Sequence, residues 1–428
     1  MSTKRIPVHK LTVGMFAEEL DRPWLDTPFF FHKKKIKRQE DIDEFIRYGI
    51  KTVLINTDKG LDCKDESILN QHERAHLVDT PKAPQLPPSK PQDSDPVVLN
   101  EELPRAKEIK TNVTNAVKNV FNDVRMGKAI EINEVKAQVN TIVDSVFRNR
   151  DALLCLANLK DYDDYTFLHS VNVGILAVSF GRHLGLSKTQ LESIGLGGLL
   201  HDIGKTQIPE SILNKPGKFS EEEYTIMKRH VNLGVEILNK HDHIPQEAAL
   251  VTSQHHERFN GTGYPQRLCG DKISLFGQIA SMADVYEAMT YDRMYQKATS
   301  CHTTLKRLYE WSDTLFNRSL MEMFIQCIGI YPYGTFVELN TGHCGIVVSV
   351  NHEALLRPNV LILFDKDKKP QNPLLLELAK ERDSGGNFLY SIQSELDPAA
   401  WEVDINQYVY DRQYVHDKKL CETPSTSL

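Results

Sequence analysis

The sequence predicts a multidomain protein: a helical central region, with a small α/β or β-rich module before it and a small β-rich extension after it. Three observations carry this expectation. The chain has 428 residues, more than one domain usually holds. Between Pro81 and Pro96 six prolines fall among polar residues, which disfavours helix and sheet and separates two differently patterned regions. After about residue 330 the helical signals give way to short β-type runs. The 51 basic and 58 acidic residues leave a formal charge of −7, which argues against a general nucleic-acid coat, so DNA or RNA polymers are not expected partners. No apolar run approaches the roughly 20 residues that span a bilayer, and the Met-Ser-Thr-Lys-Arg start lacks the apolar stretch of a signal peptide. A cytoplasmic protein without membrane contact is expected. Seven scattered cysteines, never in a C-x-x-C pair, read as reduced structural thiols.

Taken in order, residues 1–76 form the N-terminal module, with a helical stretch at 40–48 and a strand at 51–56. Its basic run at 32–38 reads as a solvated strand or loop face, with an acidic ligand or partner as the alternative. Residues 77–99 are the proline-rich linker. Residues 100–150 are a helical lead-in, with Val113, Val117, Val120 and Phe121 spaced for one face. Over 151–330, Ser187 with Gln190 and Ser220 with Glu223 each fit a capping box. Gly185 is placed to end a helix beginning near Phe167, and Ser274 to begin one running through Asp284. Within 331–428, the runs 336–339, 345–350 and 360–364 are short β-type segments between Asn-Thr-Gly and proline-containing turns.

The chemistry concentrates in the central region. His201 and Asp202 stand side by side in His-Asp-Ile-Gly-Lys, followed by His230, the pair His255 and His256, and Asp284, with His169 upstream. Spread over successive helices, these seven side chains can converge inside a bundle. Their number exceeds what one four-coordinate zinc uses and favours two divalent metal ions, with Asp202 as the natural bridge. Nitrogen and oxygen donors without thiolate fit iron, manganese or zinc alike. The remaining histidines, among them His183, His241, His243 and His343, read as hydrogen-bonded core or surface residues.

The segment His-His-Glu-Arg-Phe-Asn-Gly-Thr-Gly-Tyr-Pro at 255–265, with the His-Asp-Ile-Gly-Lys run at 201–205 before it, resembles the HD-GYP family of bacterial phosphodiesterases. Leu268-Cys-Gly-Asp-Lys-Ile273 and Asp284-Val-Tyr-Glu-Ala-Met-Thr290, continuing to Tyr295, extend the likeness over most of 160–300. Val13-Gly-Met-Phe16 and Arg22-Pro-Trp-Leu25 resemble the uncharacterised domain that often precedes HD-GYP domains. The resemblance implies an all-α catalytic domain with iron or manganese, acting on a cyclic dinucleotide: cyclic di-GMP, with 3′3′-cyclic GMP-AMP as the alternative. It implies that His169, His201, Asp202 and Asp284 hold one metal and that His230, His255 and His256 hold the other, with Asp202 shared. Some relatives hold a third metal through a glutamate one turn before the first histidine; Tyr165, next to Asp164, stands there in this chain.

Two such cations would activate water for in-line attack on phosphorus and neutralise the phosphoryl oxygens. Lys205 is expected near the same pocket, stabilising developing charge or protonating the leaving oxygen. Gly261 and Gly263 let the backbone turn close to the metals, Tyr264 offers a ring and a hydroxyl to a base or phosphate, and Arg293 matches a phosphate or guanine edge. Asn260 and Gln296 depart from the family pattern and bear on guanine selectivity. Three activities are expected, in this order: a phosphodiesterase that linearises the dinucleotide and can cut the product further; a sensor that binds without turnover and contacts protein partners through its N-terminal domain; and a mononucleotide phosphohydrolase.

Overall fold

Alternating burial sets the N-terminal strands of the computed structural model, which describes residues 3–20, 34–47, 50–62, 95–159, 165–241, 243–291 and 299–410. The chain divides into two compact units, Met1–Thr80 and Pro81–Leu428. In the first, strands β1 (Thr3–Pro7), β2 (Phe16–Leu20) and β3 (Lys34–Lys35), helix α1 (Gln39–Arg47) and strand β4 (Thr52–Asn56) form an antiparallel sheet of order β1-β4-β2-β3 with one helix. Ile6, Ala17, Leu20, Val53 and Ile55 of the sheet bury against Ile42 and Phe45 of α1 in one core. The module is therefore α/β. The Arg22-Pro-Trp-Leu25 motif and most of the proline-rich linker lie outside the described residues, as does part of the basic run at 32–38.

The second unit opens with α2 (Leu99–Arg125) and α3 (Ile132–Arg148), two helices where the sequence pattern reads as one helical region. The break comes at Gly127, whose φ of +74° suits glycine. The chain continues through α4 (Ala152–Asn158), α5 (Tyr165–His183), α6 (Lys188–Leu200), a 3₁₀ turn (Ile203–Gln207), α7 (Glu210–Leu213), α8 (Glu221–Lys228), α9 (His230–Leu238), α10 (Gln246–Gln254), α11 (Leu275–Thr290), α12 (Cys301–Glu310) and α13 (Arg318–Ile328). Both expected capping boxes are present: Ser187 and Ser220 accept from the Gln190 and Glu223 amides, whose side chains reach back to the cap. Gly185 ends α5 with φ +79°, and Ser274 caps α11.

Two glycine contacts bring the histidine-bearing helix ends together. A Cβ on Gly198 of α6 would lie 2.8 Å from Gly174 Cα of α5, so only glycine there lets these helices cross so tightly. A Cβ on Gly204 would lie 2.0 Å from the His230 carbonyl, so the 3₁₀ turn is pressed directly on the start of α9. His169 and His201 stand near the first crossing, and His201, Asp202 and His230 near the second.

The C-terminal strands β5 (Phe336–Leu339), β6 (Cys344–Ser349), β7 (Asn359–Phe364), β8 (Pro370–Glu377) and β9 (Ile392–Glu395) make an antiparallel sheet of order β8-β7-β6-β5-β9, with α14 (Ile405–Tyr410) after it. Val337, Leu339, Val347, Val360 and Ile362 fill its core. The two strands that the sequence pattern did not show, β8 and β9, are the sheet's edges. Pro370 and Pro373 within β8 and the polar Gln-Ser-Glu of β9 are tolerated there because an edge strand has one unpaired side. Among the described residues no helix is long and apolar enough to cross a membrane, and Cys155, Cys269, Cys327 and Cys344 are free thiols.

Candidate metal centre

Helix carbonyls aim the histidines. His201 at the end of α6, His230 at the start of α9 and His255 at the end of α10 send Nδ1 to the carbonyls of Gly198, Met227 and Thr252, each three residues upstream, at 2.8, 2.7 and 2.8 Å. A carbonyl only accepts, so Nδ1 carries the proton in the neutral ring and each Nε2 presents a bare lone pair. His255 caps α10 and His256 lies just beyond it, so this pair sits at a helix end and not within the helix. His169, on α5, is held differently: its Nδ1 bonds Glu287 Oε2 on α11, while Asn172 Nδ2 donates to the other Glu287 oxygen at 3.3 Å.

The lone pairs converge on Asp202. Its Oδ1 lies 3.4 Å from His230 Nε2 and 3.9 Å from His255 Nε2; its Oδ2 lies 3.3 Å from His201 Nε2 and 3.6 Å from His169 Nε2. Asp284 faces His169 Nε2 with one oxygen at 3.3 Å and His256 Nδ1 with the other at 3.8 Å. Two groups result, Asp202 with His230, His255 and His256, and His169 with His201 and Asp284, each with its ligand atoms within 4.8 Å of one another.

All but His256 are essentially buried. Within this cluster, His201 Nε2 and Asp202 Oδ1 are buried without a hydrogen-bond partner among the described residues. Acceptors packed against acceptors, out of water, call for a cation between them. The residues therefore fit one or more divalent ions, and the nitrogen and oxygen donors fit the iron, manganese and zinc class. Glu287 and the three carbonyls are the outer partners that fix ligand tautomer and direction in such sites.

The electrostatics agree. Burial works to raise the Asp202 carboxyl, but the Lys205 ammonium and the His201 and His230 rings outweigh it and hold it well below the usual carboxylate range. Asp284 is likewise held low against burial, chiefly by its hydrogen bond with His169. Burial lowers His255 to about 3, with the neighbouring His201 adding to it, and burial also lowers His230 and His256. His169 goes the other way: against burial, the Glu287 and Asp284 carboxylates raise it to about 10. Anionic carboxylates and neutral imidazoles are the forms that bind metal, so His169, protonated between its two carboxylates, gives up a proton when an ion binds.

Around the cluster, Lys205 Nζ contacts Asp202 Oδ2 at 2.5 Å. Glu257, buried, accepts from the amides of Gln266 and Leu268 at 2.7 and 2.9 Å and ties down the loop after the histidine pair. A Cβ on Gly263 would lie 2.4 Å from the Arg258 amide, so that loop closes only with glycine there. Tyr264 then packs on His256, ring centroids 4.7 Å apart and planes tilted by 32°. Asn260 accepts from the Thr262 amide and hydroxyl and holds the turn. Arg293, Gln296, Asp164 and the Tyr165 side chain lie outside the described residues. Sequence reasoning alone misses Glu287 and Glu257. Glu287 is visible as a second acid one turn after Asp284 on an otherwise largely apolar helix.

Known proteins are similar to this chain in sequence. The model described as "HD domain" matches residues 154–320, a domain of unknown function (DUF3391) matches residues 3–135, and the "KOW domain associated with HD domain" matches residues 336–384. The chain is 36% identical to a cyclic di-GMP phosphodiesterase of Pseudomonas aeruginosa over 386 residues, covering 89% of this chain and 90% of that protein. It is 33% identical to 3′3′-cGAMP-specific phosphodiesterase 2 of Vibrio cholerae over 190 residues, covering 44% of this chain and 36% of that protein. A solved HDG"Y"P protein from Bdellovibrio bacteriovorus aligns with TM-score 0.45 and 17% identity over 76% of this chain and 98% of that one.

Proposed function

The chain belongs to the HD-GYP family of phosphodiesterases, and from that premise we propose that it hydrolyses a bacterial cyclic dinucleotide, cyclic di-GMP first and 3′3′-cyclic GMP-AMP as the alternative, to the linear dinucleotide. One observation carries the reading: the two oxygens of the buried Asp202 face two separate sets of histidine nitrogens. On this basis His169, His201 and Asp284 would hold one divalent ion and His230, His255 and His256 the other, with Asp202 serving both. Iron or manganese is the proposed metal. When bound, the two ions supply positive charge to the phosphoryl oxygens and a reactive water.

The chain's own groups do the rest. The carbonyl-held rings and Glu287 keep the ligand lone pairs pointed inward, so no reorganisation is needed when substrate arrives. Lys205, about a quarter exposed, has its ammonium on Asp202 at the mouth of the cluster, where it can meet a phosphoryl oxygen or give a proton to the leaving ribose oxygen. One P–O bond breaks, water adds across it, and the ring opens. Burial pushes the Tyr264 hydroxyl up, so it stays protonated and donates a hydrogen bond to substrate. Gly263 keeps that loop close and Arg293 is proposed as a further substrate contact. The cytoplasm, where bacterial second messengers act, is the proposed location.

The test is product analysis with full-length protein, loaded anaerobically with ferrous iron or manganese and given each cyclic dinucleotide in parallel. Appearance of a linear dinucleotide is expected. Binding without any metal-dependent cleavage would replace the enzyme by a sensor.

A further inference from the structure

The rim beyond Tyr264 holds an aromatic side chain to which metal binding and phosphodiester cleavage give no task. Tyr224 lies on α8, whose chain runs through Arg229 directly into His230. It is 47% exposed, unusual for a ring of that size beside a buried centre. Its ring meets that of Tyr264 edge to face, centroids 6.3 Å apart and planes at 83°. Lys228, four residues on and so on the same helix face, holds its ammonium 4.9 Å from the Tyr224 ring centroid. From the buried cluster outward the rings form one series: His255 to His256 at 4.1 Å, His256 to Tyr264 at 4.7 Å, and Tyr264 to Tyr224 at 6.3 Å. The series begins among the residues assigned to the metals and ends at water.

The acids of α8, Glu221, Glu222 and Glu223, stand in its first turn, at the other end of the helix from Lys228. Of the glutamates in the first turn of α8, Glu223 is tied to the Ser220 amide at 2.7 Å and to Lys215 Nζ at 2.5 Å, and Glu222 to the Ser220 hydroxyl at 2.8 Å. Lys228 has no carboxylate partner in an ion pair among the described residues. A cyclic dinucleotide carries two purines and two phosphodiesters, so holding one phosphate in the cluster leaves a π-face and a second negative charge to be placed outside it. A half-exposed ring beside a cation offers both contacts.

We propose that Tyr224 recognises a purine of the cyclic dinucleotide by stacking and that Lys228 pairs with the phosphate that is not being cut; this rests on the phosphodiesterase reading and adds a specificity element to it. Base stacking on an aromatic side chain is sequence-tolerant, because every base has a π-face, and truncating such a ring to alanine weakens binding roughly tenfold or more.

The experiment uses the metal-loaded full chain and reads KM and kcat for both cyclic dinucleotides, and the fluorescence quenching of a cyclic dinucleotide carrying aminopurine. For Tyr224→Ala we expect KM to rise roughly tenfold, the quenching to be lost, and kcat and metal content to change little. Tyr224→Phe should keep both, since the ring remains. For Lys228→Ala the rise in KM should shrink as salt is added, because an exposed ion pair is screened. Wild-type KM and quenching in Tyr224→Ala would overturn the stacking role, and a salt-independent or absent effect in Lys228→Ala would overturn the phosphate role. A wild type that cleaves neither cyclic dinucleotide would overturn the phosphodiesterase reading itself, and this inference with it.

Discussion

Two histidine–carboxylate sites in the helical unit use the same groups to opposite ends. His352, in the loop between β6 and β7, spends both ring nitrogens on the protein: Nδ1 faces the Gln326 carbonyl at 3.3 Å, and Nε2 faces Asp151 Oδ1 at 3.0 Å. At Asp202, three rings spend only Nδ1 on a carbonyl and turn Nε2 toward a carboxylate that four histidines share. The first site is closed: both partners are acceptors, so the charged ring gives each of them one N–H. The second holds more lone pairs than protons and leaves His201 Nε2 and Asp202 Oδ1 unsatisfied. The distinction between a structural and a ligating histidine therefore lies in where the second nitrogen goes, and not in burial or in the presence of an acid.

The comparison breaks most sharply at Asp202. Asp202→Ala should reduce cleavage to background and take bound metal well below the two ions per chain proposed for the wild type, measured by elemental analysis. A fully metallated and fully active variant would show the assignment to be wrong. Lys205→Ala comes next: we expect kcat to fall on the order of a hundredfold to a thousandfold with metal content unchanged, because charge at the reacting phosphate is lost while every ligand stays. Metal lost in parallel with activity would instead make Lys205 a support for Asp202. Glu287→Gln is milder. It keeps the volume but removes the charge behind His169, and metal affinity, read by chelator competition, should weaken roughly 10–100-fold. Unchanged affinity would reduce Glu287 to a packing residue.

Legibility in the sequence divides along the same line. The proposed ligands His201 with Asp202 and His255 with His256 stand out because each pair is adjacent in the chain, and the capping boxes at Ser187 and Ser220 because their partners lie three residues away. Glu287 cannot be assigned that way, since its partner His169 stands 118 residues distant and only the α5–α11 packing joins them. The edge strands escape because β8 opens on Pro-Gln-Asn-Pro before its three leucines and β9 reads Ile-Gln-Ser-Glu, with one apolar residue. The α2–α3 break has a local mark at Gly127, but the apolar spacing on either side of it reads as one helical region. Tyr224 carries no signature at all, since an exposed aromatic on a short acidic helix becomes notable only when Tyr264 is placed beside it.

The smallest expected effect lies at the closed site. The Asp151 carboxylate raises His352 above the ordinary histidine value of 6.5, against burial and the nearby Arg150 guanidinium, while burial and the His352 charge lower His183 at the end of α5 to about 4. A base whose folded pKa is raised binds its proton more tightly when folded, so the His352 contribution is fully present below pH 6.5 and is lost as pH rises through the folded value. Its loss in His352→Gln should cost about 1 kcal/mol of unfolding free energy in mildly acidic buffer, and progressively less as the buffer becomes alkaline. His183 works with the opposite sign, since its neutral form is favoured in the folded state and its contribution is lost as pH falls from 6.5 toward 4, so the comparison is best made just below pH 6.5 and in alkaline buffer. Denaturant unfolding of wild type and variant at those two pH values separates the cases: a difference that does not shrink with pH would mean that the ring is held by packing, and that a histidine with both nitrogens satisfied does not need its charge.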